Sequence, residues 1–180
     1  MRCQAPPSKS AQIAQRSTPR SLASGHGLRV GSSVIIAGNY SLANQMVAPG
    51  CLSNVFNVGA TDKSDVSAPF SNSHSLVDVF APGVSVLSDW LAGTTATLSG
   101  TSMACPHVSG LSALILGAYP ALERNDLASA LTSTGVLITD WNSITHPRID
   151  ADDAFISAIG LIFTDGFESG NTSAWSSTVP

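Results

Sequence analysis

Gly100-Thr101-Ser102-Met103-Ala104 places a hydroxyl in the opening turn of an apolar stretch that reads as a helix. The first N–H groups of a helix have no intrahelical acceptor, and the aligned peptide dipoles add partial positive charge there. An anion forming beside Ser102 is stabilised by that field, which is what attack of a hydroxyl on a carbonyl requires. Gly100 lets another backbone approach, because it has no side chain. Ser or Thr at a helix start also serves simply as an N-cap, and these five residues alone leave both readings open. A second polar group, Asn39, closes the run Val34-Ile35-Ile36-Ala37-Gly38. An asparagine after a strand is, by itself, usually a turn former.

Positioning these groups requires ordered elements. The runs 30–38, 55–61 and 77–82 are short, apolar, rich in β-branched residues and closed by Gly, Asn or Pro, so they predict strands. Continuous apolar runs suit a parallel sheet covered on both faces. Residues 101–119 predict a helix, with Val108, Leu111, Leu114 or Ile115, and Ala118 recurring at three- and four-residue steps. Its broad apolar character predicts burial; Pro106 falls in the first turn or so, and Pro120 ends it. A second helix is expected over 123–132, with Asn125 or Asp126 as candidate caps, and a third over 151–160.

A chain of 180 residues, 43% hydrophobic and 11% charged, suits one globular unit. Its formal charge of −4 gives no electrostatic reason for a nucleic acid or membrane partner. No apolar run reaches the roughly 20 residues of a membrane-spanning helix. Residues 1–27 mix Pro, Ser, Gln, Arg and Gly without periodicity and read as a disordered or non-native leader with no export signal. Residues 28–161 form the ordered unit, and 162–180 change to a Gly- and Ser-rich tail carrying Phe163, Phe167 and Trp175. Three cysteines leave at least one thiol unpaired within the monomer, with Cys51–Cys105 one conceivable bridge. Asp150, Asp152 and Asp153 could suggest calcium, but an acidic helix start explains them more simply.

The eleven residues 100–110 (GTSMACPHVSG) closely resemble the serine signature of the subtilisin-like peptidases. Val34-Ile35-Ile36-Ala37-Gly38-Asn39, residues 56–61 (FNVGAT), Phe70-Ser71-Asn72, Ala81-Pro82-Gly83 and residues 147–151 (PRIDA) match further stretches of that family in the same order. The resemblance implies a partial subtilisin-like α/β fold, a mostly parallel sheet flanked by helices and lacking the family's N-terminal strands. It implies a secreted serine endopeptidase acting on polypeptides; no cofactor or metal site is read from this chain. Ser102 would be the acyl-accepting nucleophile, and Asn39 would stabilise the oxyanion together with the Ser102 N–H. Gly38, Gly100 and Thr101 would contact substrate.

In that family the catalytic triad runs Asp, His, Ser along the chain. Only 38 residues precede Asn39, none of them acidic; the first carboxylate is Asp62. No D-T/S-G or H-G-T-H motif occurs. Of the four histidines, His107 sits about 140° around the helix from Ser102 and should point elsewhere. His26 lies at the opposite end of the first strand from Asn39, and His74 and His146 fall in polar loops that read as solvated. None is expected to act as a base. The expectation is therefore the C-terminal half of a peptidase domain, without triad Asp and His and inactive alone. Its alternatives are a non-catalytic peptide-binding module or the product of a truncated or frame-shifted gene. Substrate preference and oligomeric state are not encoded legibly.

Overall fold

The computed structural model describes residues 33–52 and 55–158. The leader 1–27, the tail 162–180 and His26 lie outside the described residues. Seven strands and three α-helices follow in the order β1 Ser33–Ile36, β2 Val55–Thr61, β3 Val79–Pro82, β4 Val86–Asp89, β5 Thr95–Leu98, α1 Thr101–Ala118, α2 Arg124–Ser133, β6 Val136–Thr139, β7 Thr145–Arg148 and α3 Ala151–Ala158. The main sheet has the order β1-β2-β3-β7-β6. β1, β2, β3 and β7 run parallel, and β6 is antiparallel to β7. β4 and β5 form a separate antiparallel hairpin.

The three runs read as strands become β1, β2 and β3, and their continuous apolar character has the expected cause. β2 ends in five consecutive buried residues, with helix α1 packed across it. The hairpins β4–β5 and β6–β7 had no clear sequence signal. Leu87, Leu98, Val136 and Leu137 are exposed in them, so neither hairpin carries the buried alternation that marks a strand.

Helix α1 is buried along one stripe only: Thr101, Ala104, Val108, Leu111 and Ile115. Their alternating three- and four-residue spacing is one helical face. Leu114 is 66% exposed and Ala118 is exposed, so the burial expected from the helix's broad apolar character is confined to one face. Pro106 is the sixth residue of α1 rather than a first-turn residue, and it cannot donate to the carbonyl of Ser102 four positions earlier. At α2 the N-cap is Glu123, and Asn125 and Asp126 lie inside the helix. Asp150 does cap α3, its Oδ1 accepting the Asp153 N–H at 3.3 Å, as the acidic-start reading requires.

Cys105 is a free thiol whose Sγ lies 3.6 Å from the Val34 carbonyl, so the Cys51–Cys105 bridge does not form. Burial pushes its pKa up. No described helix is long and apolar enough to cross a membrane.

Gly83 joins the sheet to α1. Its N–H donates to Thr61 O at 2.9 Å, and its carbonyl accepts the Gly100 N–H at 2.8 Å. A Cβ there would stand 2.6 Å from Ala60 Cβ, 2.8 Å from Gly100 O and 3.1 Å from Ala104 Cβ. Gly83→Ala must therefore push the start of α1 off the sheet, with an expected destabilisation of about 1–3 kcal/mol by urea denaturation. Gly117→Ala, at an exposed helical position with nothing within 4 Å, is the contrast and should stabilise by about 0.5–1 kcal/mol. Equal effects at the two glycines would contradict this account.

Candidate active site

The site is assembled where β1 ends and α1 begins. β1 leads through Ala37 and Gly38 to Asn39, and the parallel register with β2 continues as Ala37 N–H donates to Val58 O at 2.9 Å. Gly38 has φ 104°, a conformation that favours glycine, and turns the chain out of the sheet. A Cβ on Gly38 would stand 2.5 Å from Asn72 Nδ2 and 3.2 Å from Val47 Cγ2. Gly38 thus makes room inside the protein, whereas its sequence reading placed it against substrate.

At the helix start the N-cap is Gly100, which has no side chain with which to cap α1. The simple capping reading of Thr101 and Ser102 is thereby removed. Thr101 instead turns to Asn39: its backbone N–H and its Oγ–H both donate to Asn39 Oδ1, at 2.9 and 2.8 Å. With Oδ1 held twice, the carboxamide is oriented and its Nδ2 remains as a donor.

Gly100 marks where that donor sits relative to Ser102. The position a Cβ would take on Gly100 is 3.3 Å from Asn39 Nδ2 and 3.7 Å from the Ser102 backbone nitrogen. Two N–H donors from different elements therefore border the small space left by the missing side chain of residue 100, with Met103 Sδ beside it at 3.5 Å. Thr101 is buried, while Ser102 and Asn39 are exposed. Ser102 also lines an open cleft of about 370 Å³ with Met103, Pro106 and His107 of α1 and Val86, Leu87 and Ser88 of β4.

His107 also lines this cleft, five residues along α1 from Ser102. Its Nδ1 lies 2.8 Å from the Met103 carbonyl, one helical turn back. Donation to that carbonyl places the proton on Nδ1. His74 and His146 are not solvated: each is buried, with 8% exposure. His74 Nδ1 accepts the Leu76 N–H at 3.0 Å, and the His146 ring packs edge-on against Phe80 with centroids 5.8 Å apart. His146 lies in β7, and the His74 backbone hydrogen-bonds with its ring. Their burial left no signal in sequence, since both sit in Ser-, Thr- and Pro-containing stretches that read as loops.

Burial holds the His146 pKa below its ordinary 6.5, partly offset by the negative charges of Asp140 and Asp78. Burial also raises the Asp78 carboxyl above 3.8, against the Asn57 N–H that donates to it at 2.6 Å. Another residue passed over as a functional one is Asn72, which appeared only within a matched stretch and whose side chain lies against the loop bearing Asn39.

The subtilase family model matches residues 4–170. A subtilisin-like protease of Pseudogymnoascus destructans is 41% identical over 124 residues, 67% of this chain and 30% of that protein. A cuticle-degrading serine protease of Arthrobotrys oligospora is 46% identical over 123 residues, 63% of this chain and 30% of its own length. The chain thus spans about a third of the length of these relatives. Among solved structures, a protease from Pseudoalteromonas arctica superimposes with TM-score 0.65 at 32% identity, covering 71% of this chain and 43% of that one. The self-cleaved protease domain of PatA gives 0.63 at 29%, covering 72% and 50%.

The buried histidine makes a pH prediction. The unfolded chain binds a proton at His146 near pH 6.5, whereas the folded chain resists it, so this contribution to stability is present above that pH and is lost as pH falls through it. Urea midpoints should drop between pH of about 7.5 and 5.5, and His146→Gln should remove part of that slope. An identical slope in the variant would rule out the assignment.

Proposed function

Because this chain belongs to the subtilase family, we propose that it carries the nucleophile and oxyanion half of a serine endopeptidase site. Ser102 is the acyl acceptor. Its hydroxyl attacks a peptide carbonyl, the carbonyl oxygen becomes an oxyanion, and Asn39 Nδ2 with the Ser102 N–H donates to it. The observation that carries this reading is the pair of donors beside Gly100, at 3.3 and 3.7 Å from the space its missing side chain leaves. Thr101 contributes by orienting Asn39, Gly100 by admitting the substrate backbone, and Gly38 by turning the loop.

The proton of Ser102 needs a base; no D-T/S-G or H-G-T-H motif occurs in the sequence, and in this reading the triad Asp and His are supplied from outside it. In subtilisin itself, losing the serine or the histidine lowers kcat by about 2 × 10⁶, or roughly 8–9 kcal/mol of barrier. The isolated chain accordingly has negligible peptidase activity, and the missing members belong to a longer form of the protein. Relatives of more than three times the matched length support that view. The substrate is a polypeptide, the complete protein is exported, and the mechanism calls for no cofactor. A non-catalytic peptide-binding module is the second reading. It is favoured by the open cleft along β4 and α1 and requires no chemistry at Ser102.

A fluorophosphonate probe separates these readings. The isolated chain should label negligibly. Fusion to the N-terminal part of a matched relative, which restores Asp and His, should give labelling at Ser102 and peptidase activity, both abolished by Ser102→Ala. In that fusion Asn39→Ala should lower kcat by about 10²–10³, the magnitude known from subtilisin. A folded fusion that neither labels nor cleaves would favour the binding module, and strong labelling of the isolated chain would refute its inactivity.

A further inference from the structure

Building on the reading that Asn39 serves an oxyanion, we propose that Asn72 is the positioning residue that holds the Asn39 amide in place. Asn72 is 1% exposed, and both ends of its carboxamide are used. Nδ2 donates to Ala37 O at 2.9 Å, just before the turn. Oδ1 accepts the N–H groups of Tyr40 at 3.0 Å and Leu42 at 3.1 Å, just after it. The backbone N–H of Asn72 donates to Gly38 O at 3.0 Å. One side chain thus bridges the segment on both sides of Asn39 while leaving Asn39 itself free to meet Thr101.

The surroundings make this bridge specific to an amide. The space for Nδ2 exists because Gly38 has no Cβ, which would otherwise lie 2.5 Å from it. The loop is held open in an unusual form, with positive φ at Gly38 (104°), Ser41 (53°) and Asn44 (56°), so local preference does not maintain it. Asn72 is itself anchored. Ala60 N–H of β2 donates to Ser71 Oγ at 3.2 Å, and the Trp141 indole donates to Ser71 O at 3.0 Å. Ser73 N–H donates to Leu42 O at 2.8 Å and Ser41 N–H to Phe70 O at 2.9 Å, so residues 70–73 act as a rail on which the loop lies. The donor and acceptor ends of Asn72 cannot be exchanged: aspartate retains the acceptors for Tyr40 and Leu42 but faces Ala37 O with a second oxygen.

The test reads the geometry of Asn39 by NMR on the full chain, without any need for activity. In Asn72→Asp, hydrogen-exchange protection of the Thr101 amide should fall by about tenfold or more, the local effect of unpairing one buried polar group. The Asn39 side-chain Nδ2 resonances should shift as well. Protection of the Gly83 and Ile149 amides, which donate to Thr61 O and Phe80 O, should stay unchanged; that contrast separates positioning from general loss of stability. Unchanged Thr101 protection, or a uniform fall at all three amides, would overturn the proposal. The unmodified chain gives an independent answer. Under increasing denaturant, Leu42 and Thr101 should open as one unit, and separate opening of Thr101 would overturn the proposal equally. Neither measurement involves acyl transfer, so their outcome is independent of whether Ser102 labels in the fused protein.

Discussion

The carboxamide of Asn39 accepts two hydrogen bonds from Thr101, and the rest of the site depends on that contact. Through it the loop that leaves β1 is attached to the first residue of α1. Such a helix start normally recruits a side chain from its own N-cap. Here the cap is glycine and the acceptor comes from 62 positions away, so the local need of the helix is met by a residue whose other end is a donor. Satisfying the Thr101 N–H and orienting Asn39 Nδ2 are one interaction.

Two glycines allow it. Gly83 brings β2, β3 and α1 within van der Waals contact, and Gly100 leaves space between Asn39 Nδ2 and the Ser102 N–H. The first acts through packing and the second through vacancy. A methyl group at either position would be tolerated by local backbone preference, since neither requires a left-handed conformation; what forbids it at Gly83 is the atoms of other elements. The α1 stripe of Thr101, Ala104, Val108, Leu111 and Ile115 then fixes the rotation of the helix on the sheet, which sets the direction in which Ser102 emerges.

The other half of the support lies in polar rather than apolar contacts. Ser67, Ala68 and residues 71–74 are buried although this stretch is rich in Ser and Asn, because its hydrogen-bonding groups meet the loop at 37–44, the β2 backbone and Trp141. Buried polar residues of this kind are stable only when paired, and paired they are rigid. An exposed hairpin, β4–β5, borders the cleft by contrast, with Leu87 67% exposed. β1 is paired only with β2 among the described residues, which leaves its outer edge open to a further strand.

Sequence by itself determined the elements whose character is local. The apolar runs of β2 and β3 and the helix opening at Thr101 follow from backbone preference and periodicity within a few residues. The serine at that opening and the asparagine closing the strand have ordinary local readings, as a cap and a turn former; the resemblance of residues 100–110 and 34–39 to the subtilisin-like peptidases made them site candidates. Tertiary structure decided what depends on distant partners: that Asn39 meets Thr101, that Leu114 stays exposed while Ile115 is buried, that His74 and His146 are buried, and that Asn72 braces the loop. A polar side chain has the same local preferences whether it faces water or a buried carbonyl. Only the fold, by supplying or withholding that carbonyl, distinguishes the two.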